Sequence, residues 1–200
     1  MLSILFSMFL FSLAGAISPG PVNVIAASVG AQAGFLRALP HVSGASLSYA
    51  AIVWLMGCGL NRILLAYPSI SQFLLYSGAA YLLYLAARIA QTPTATSQIA
   101  PPARASGLLQ GVLSQSLNPK AWLFAMSGVS LFVADAPQES TLLLALCAMS
   151  GVVCFLSVAT WAVLGQWISQ WLASPLRQQR FNRCMALLLA LTVFFMLWAN

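Results

Sequence analysis

Lys120 offers more chemistry than any other residue in this chain, because of where it stands. It follows Asn118-Pro119 inside an otherwise apolar run from Gly107 to Val133. Asn is a strong helix N-cap and Pro is favoured at the first helical position, so the triplet predicts a helix that stops and restarts there. Lys120 then falls in the first turn, where its charge opposes the positive helix end. About a dozen residues, or roughly 16 Å of helix, separate it from Gly107, which places it well inside a bilayer. Lysine at that depth is costly and by default marks function. The plainer reading is an ammonium that snorkels to an interface. No carboxylate in the apolar runs can pair with it. A lysine, a helix N-terminus and no acid make a site for an anion.

The other break is Ser18-Pro19-Gly20-Pro21, with Asn23 just beyond it. Two prolines remove two backbone donors, so the carbonyls of Gly15 and Ile17 lose their helical partners. Gly20 between them weakens the helix further. Freed carbonyls at membrane depth must face protein, water or a ligand. A fresh helix begins at Pro21, and its free N–H groups form a second anion site. Asn23 can donate to a ligand there or accept from it. A bent packing helix is the simpler alternative. Candidate binding residues are therefore Gly15, Ile17, Ser18, Pro19, Gly20, Pro21, Asn23, Asn118, Pro119 and Lys120.

The elements that carry these breaks follow from composition. Of the 200 residues, 61% are hydrophobic and only 5% charged, against about 25% charged in soluble domains. Continuous apolar runs without strict alternation predict membrane-spanning helices rather than a barrel. The chain is expected to be an all-α integral membrane protein with six spans: Leu2 to about Gly30, Leu39–Leu60, Pro68–Ile89, Gly107–Val133, Thr141–Ile168 and Cys184–Trp198. The small residues of Ala14-Gly15-Ala16 would suit a signal-peptide cleavage site. Without a basic start, and with the apolar pattern resuming after the break, the segment reads as a retained first span.

The net charge of +6 has a membrane explanation and calls for no nucleic acid. Arg37, Arg88, Arg104, Arg177, Arg180 and Arg183 fall on one set of connections, against Arg62 with Asp135 and Glu139 on the other. The basic side is cytoplasmic, which puts both termini outside. Each half holds one long broken span followed by two unbroken ones. Repeat one covers about 1–90, a Pro-containing linker 91–106, and repeat two about 107–200, all within a single polytopic domain. Three spans per half would insert the halves in opposite senses, the inverted-repeat plan of many secondary transporters.

Cys58, Cys147, Cys154 and Cys184 lie in apolar segments and read as packing residues. His41 reads as a capping or interfacial histidine at a helix start. Tyr49, Tyr81, Tyr84, Trp122 and Trp161 are aromatic candidates around a cavity or in interfacial belts. Ser43, Gly44, Ser48 and Gly78-Ala79-Ala80 suit close helix packing. No acid pair, catalytic triad or phosphate-binding loop is present, so neither an enzyme nor an ATP-driven pump is expected, and no cofactor or metal. An anion or small-solute channel and a structural membrane subunit are the competing readings.

Three motifs, taken in order, resemble one family. Ser18-Pro19-Gly20-Pro21 with Asn23, then Gly78-Ala79-Ala80-Tyr81-Leu82, then Asn118-Pro119-Lys120-Ala121 are similar to the lysine exporter and homoserine–threonine exporter (LysE/RhtB) translocators. Gly78 to Ile89, with Thr92-Pro93-Thr94, looks most like the cysteine/O-acetylserine branch. The resemblance implies efflux of a small amino acid across the bacterial inner membrane, with protons as the coupling ion, and is compatible with a homo-oligomer. Some members of the family carry an acid in the second span, where this chain has Tyr49, and others one in the fifth, near Cys154. Their absence here argues against lysine or arginine as substrate.

Overall fold

The computed structural model describes residues 2–91, 107–134, 136–172 and 174–198. The long apolar runs are all helical, and both proline-containing motifs interrupt a helix. The first run gives α1 (Leu2–Ile17) and α2 (Pro21–Ala33), which meet at a 59° bend. After Gly34, whose φ of 84° suits only a residue without Cβ, comes α3 (Phe35–Leu55). A π-helical turn at Met56–Leu60 and a short α4 (Asn61–Ala66) lead into α5 (Pro68–Ala90). The second broken run forms α6 (Leu108–Ser116) and α7 (Pro119–Phe132), followed by α8 (Glu139–Trp171) and α9 (Pro175–Trp198).

Three features differ from the sequence expectation. The second membrane helix begins at Phe35 rather than Leu39, and Pro40 lies inside it. Pro40 leaves the Leu36 carbonyl without its helical donor, but Leu36 is exposed near the helix end, where polar surroundings can supply one. His41 is therefore well inside α3, and it is fully buried. Second, Arg177, Arg180 and Arg183 belong to the exposed first turns of α9 rather than to a loop. Third, α4 was not expected. Apart from Gln91, the linker 91–106 with Arg104 and the Thr92-Pro93-Thr94 run lies outside the described residues, as do Asp135 and Asn200.

The helices α3, α5 and α8 are each long and apolar enough to cross a membrane, and the bent α1–α2 pair passes the same test when its two helices are taken together. Large apolar side chains such as Leu123, Leu131, Leu156, Trp167 and Phe195 face outward. In water that surface would be untenable; against lipid it is what is required. The chain is a multi-pass membrane protein.

Helix α8 is the central post. The α1–α2 pair runs alongside it in the same direction, with Ser12 Oγ 3.4 Å from Ser150 Oγ, Ser157 donating to the Ala16 carbonyl at 2.8 Å, and Gly30 and Gly165 further along. Helix α3 runs the opposite way, since Gly57 packs on Leu143 and Gly151 on Ala50. Helix α6 follows the direction of α3, with Gly44 against Leu108, Gly111 against His41, and Ser48 Oγ 2.8 Å from Ser116 Oγ. The two broken helices thus run in opposite directions.

Two of these crossings are as close as backbones permit. A Cβ at Gly30 would lie 2.0 Å from the Ala162 carbonyl oxygen, and one at Gly165 2.0 Å from that of Ala27. Gly44 and Gly111 meet Leu108 and His41 in the same reciprocal way. Such small-residue contacts let membrane helices pack without large side chains. One buried cluster fills the space around α3 and α8 (Met8, Tyr49, Met56, Leu146, Val158), and a second joins α5 and α9 to α2 (Ile25, Leu82, Leu189, Val193).

Candidate functional site

The two breaks meet. Helix α1 ends with carbonyls that Pro19 and Pro21 cannot satisfy, and side chains serve them instead. Asn23 Nδ2 donates to the Ala16 carbonyl at 2.8 Å and to that of Ser18 at 3.1 Å, while Ser157 also donates to Ala16. The Lys120 ammonium reaches across from α7 and donates to Ser18 Oγ at 2.5 Å and to the Ser18 carbonyl at 3.3 Å. It also stands 5.8 Å from the centroid of the Phe124 ring, a cation–π distance. Lys120 is half-buried, with its ammonium turned to the end of α1.

The negative end of the α1 dipole explains why a cation sits there. Of the two carbonyls expected to be freed, that of Gly15 accepts from Ser18 Oγ at 3.3 Å. Ile17 turns a 60% exposed side chain outward. The carbonyls that draw bonds from other helices are those of Ala16 and Ser18.

The two new N-termini differ. Asn118 caps α7 as its type predicts: its side chain accepts from the Lys120 N–H at 3.2 Å and its carbonyl from Ala121 N–H at 2.9 Å. Helix α2 has Gly20 as its N-cap, with no side-chain bond and Pro21 at its start. Among the described residues no hydrogen bond engages the Val22 or Asn23 N–H. The open helix end is therefore that of α2.

These groups surround a cavity of about 40 Å³, lined among others by Gly20, Asn23, Tyr49, Gln115, Asn118 and Lys120. That is room for a few waters, at about 10–15 Å³ each on this measure, and small for an amino acid. Gly15 lines it beside Phe124, where a Cβ would lie 2.7 Å from the ring. Pro119 faces an apolar cleft of about 390 Å³ with Tyr76, Trp122 and Leu197.

Gln115, Ser157 and Phe124 were not singled out from the sequence, and no local pattern marks them. Gln115 accepts from Asn118 Nδ2 at 3.4 Å and lies 4.0 Å from Cys154 Sγ. Tyr49 and Cys154 line the cavity, whereas Trp122 donates its Nε1–H to the Ser116 carbonyl at 2.7 Å, closing the end of α6. Gly78 of the Gly-Ala-Ala-Tyr run seats α5 against the second break, since a Cβ there would lie 2.3 Å from the Leu117 carbonyl.

The chain is 29% identical over 168 residues to a cysteine/O-acetylserine efflux protein of Salmonella paratyphi A, covering 81% of this chain and 82% of that protein. It is 26% identical over 197 residues to the protein of the same name in Escherichia coli K12, covering 96% and 98%. No solved structure matches it. Residues 13–199, which include both breaks and the cavity between them, match the family described as LysE type translocator. The chain therefore belongs to the LysE-type translocator family, and it is a transporter rather than an enzyme.

Proposed function

We propose that this protein exports small neutral amino acids from the bacterial cytoplasm across the inner membrane, against protons entering. The substrate class is that of the relatives named for cysteine and O-acetylserine efflux. The observation that carries the reading is the meeting of two oppositely directed broken helices at one acid-free polar cavity, with the Lys120 ammonium bonded into the first break. Six spans in two inverted repeats account for that arrangement, with α6–α7 as the counterpart of α1–α2 and α9 as the sixth span. Both termini are periplasmic in this arrangement.

The substrate carboxylate binds Lys120 and the open N-terminus of α2 at Val22 and Asn23. Lys120 leaves Ser18 to meet it, and the substrate ammonium takes its place on the Ser18 carbonyl. Asn118, Gln115 and Tyr49 surround the rest. Because the cavity as it stands is small for an amino acid, entry requires the repeats to part on one side, and release requires them to part on the other.

The test is counterflow in proteoliposomes. Labelled O-acetyl-L-serine and L-cysteine exchange against unlabelled substrate inside, while L-lysine does not. Sustained unsaturable current without exchange would make the protein a channel instead.

A further inference from the structure

Both nitrogens of His41 lack a hydrogen-bond partner among the described protein groups, although the residue is completely buried. Native interiors rarely leave such groups unpaired, because each one costs free energy, and one that persists calls for a reason. The position suggests one. His41 sits where α2, α3 and α6 come together: Gly111 of α6 packs on its backbone carbonyl, and its ring turns to the backbone of Val22, close enough to feel it but outside good hydrogen-bond geometry. Val22 lines the cavity and offers one of the free N–H groups of the α2 terminus.

We propose that His41 is the proton-coupling residue of the exporter, an inference that rests on the exporter reading above. Imidazole is the side chain whose charge ordinarily changes between pH 5 and 8. On the elements packed against α3, titratable groups are few: none on α2 or α6, Lys120 on α7, Cys58 on the π turn, and Cys147, Cys154 and the exposed Glu139 on α8. On α3 itself there are the exposed Arg37 and the buried Tyr49. No carboxylate faces the ring among the described residues.

A charged imidazolium needs two acceptors, and in this conformation the described protein groups offer only the poorly aligned Val22 backbone. When the repeats part outward, water reaches the ring and one ring nitrogen gains a proton from the periplasmic side. When they part inward, that N–H bond breaks and the proton passes to cytoplasmic water. One proton enters for each cycle in which a substrate leaves, and the imidazole ends as it began.

The chain contains a single histidine, so ¹⁵N-histidine labelling of protein carrying a histidine-free tag reports this ring alone. In liposomes the wild-type ring should show both charge states across pH 5–8, with a midpoint that moves on adding O-acetyl-L-serine. His41→Gln should retain counterflow of labelled O-acetyl-L-serine but lose pH-gradient-driven accumulation by about tenfold or more. Wild-type accumulation in His41→Gln overturns the proposal, as does a ring held in one charge state throughout with and without substrate. If His41→Gln loses exchange as well, the wild-type titration decides. If the wild type itself exchanges nothing, the exporter reading fails, and the titration still decides the histidine.

Discussion

Substituting alanine at Gly30 and Gly165 tests the close α2–α8 crossing. A Cβ on either glycine would lie 2.0 Å from a facing carbonyl oxygen, where ordinary contact begins at 3.4 Å. The obstacle is backbone on the opposing helix, so no rotamer change relieves it. The helices must move apart by about 1.4 Å, the difference between those distances, and overpacking of this kind costs about 1–3 kcal/mol. One movement makes room for both methyl groups, because each glycine faces a residue one turn from the other. The double variant should therefore be little worse than the worse single, with a coupling energy of about 1–3 kcal/mol in its favour. Unfolding in mixed micelles, followed by tryptophan fluorescence, gives the four free energies needed. Strictly additive losses, or singles as stable as wild type, would refute the crossing as described.

Lys120→Met should weaken substrate binding by about 1.5–3 kcal/mol, roughly 10- to 150-fold, in a vesicle binding assay, and an undiminished affinity removes Lys120 from the site. Lys120→Arg should also impair transport, since a planar fork does not replace a compact ammonium between Ser18 and Phe124. Asn23→Leu leaves the Ala16 and Ser18 carbonyls short of a donor and should cost about 1–3 kcal/mol in the same unfolding measurement. Replacing Pro19 and Pro21 together by Ala should straighten the 59° bend and abolish efflux at normal membrane levels; retained tolerance to excess substrate would reduce the motif to a kink. Reporter fusions at Ala100 and Asn200 should be active in the cytoplasm and in the periplasm, respectively.

Both breaks were legible in the sequence because proline acts locally: it removes a donor whatever the fold. The Asn118 cap was legible for the same reason, as its side chain reaches only two residues onward. Gln115, Ser157 and Phe124 were not, because each becomes part of the site only through a partner on another helix, and an isolated polar or aromatic residue in an apolar run carries no register. The arginines of α9 were misplaced because hydropathy marks the lipid boundary and not the helix end, and the helix continues past the one into the other. His41 was read as a capping or interfacial residue because Pro40 suggests a helix start. In the structure Pro40 is tolerated inside α3, and the histidine falls in the interior.

The charge pattern at the breaks bears on what the proposed site can select. A substrate with one ammonium and one carboxylate replaces Lys120 at the Ser18 carbonyl with a group of the same charge, and gives Lys120 an anion in exchange. Formal charge in the cavity is then unchanged between the empty and the loaded form. A second cationic group, as in lysine or arginine, would enter a space whose described lining contains no carboxylate, and a buried charge without a partner is costly. In the proposed site, neutral selectivity would follow from the same lack of acids among the described residues that leaves Lys120 without a carboxylate partner. An acid introduced at Tyr49, which lines the cavity, should relax that selectivity. In counterflow, Tyr49→Glu should gain exchange of labelled L-lysine that the wild type lacks. A variant that folds, still exchanges O-acetyl-L-serine and continues to exclude lysine would show that selectivity has another origin.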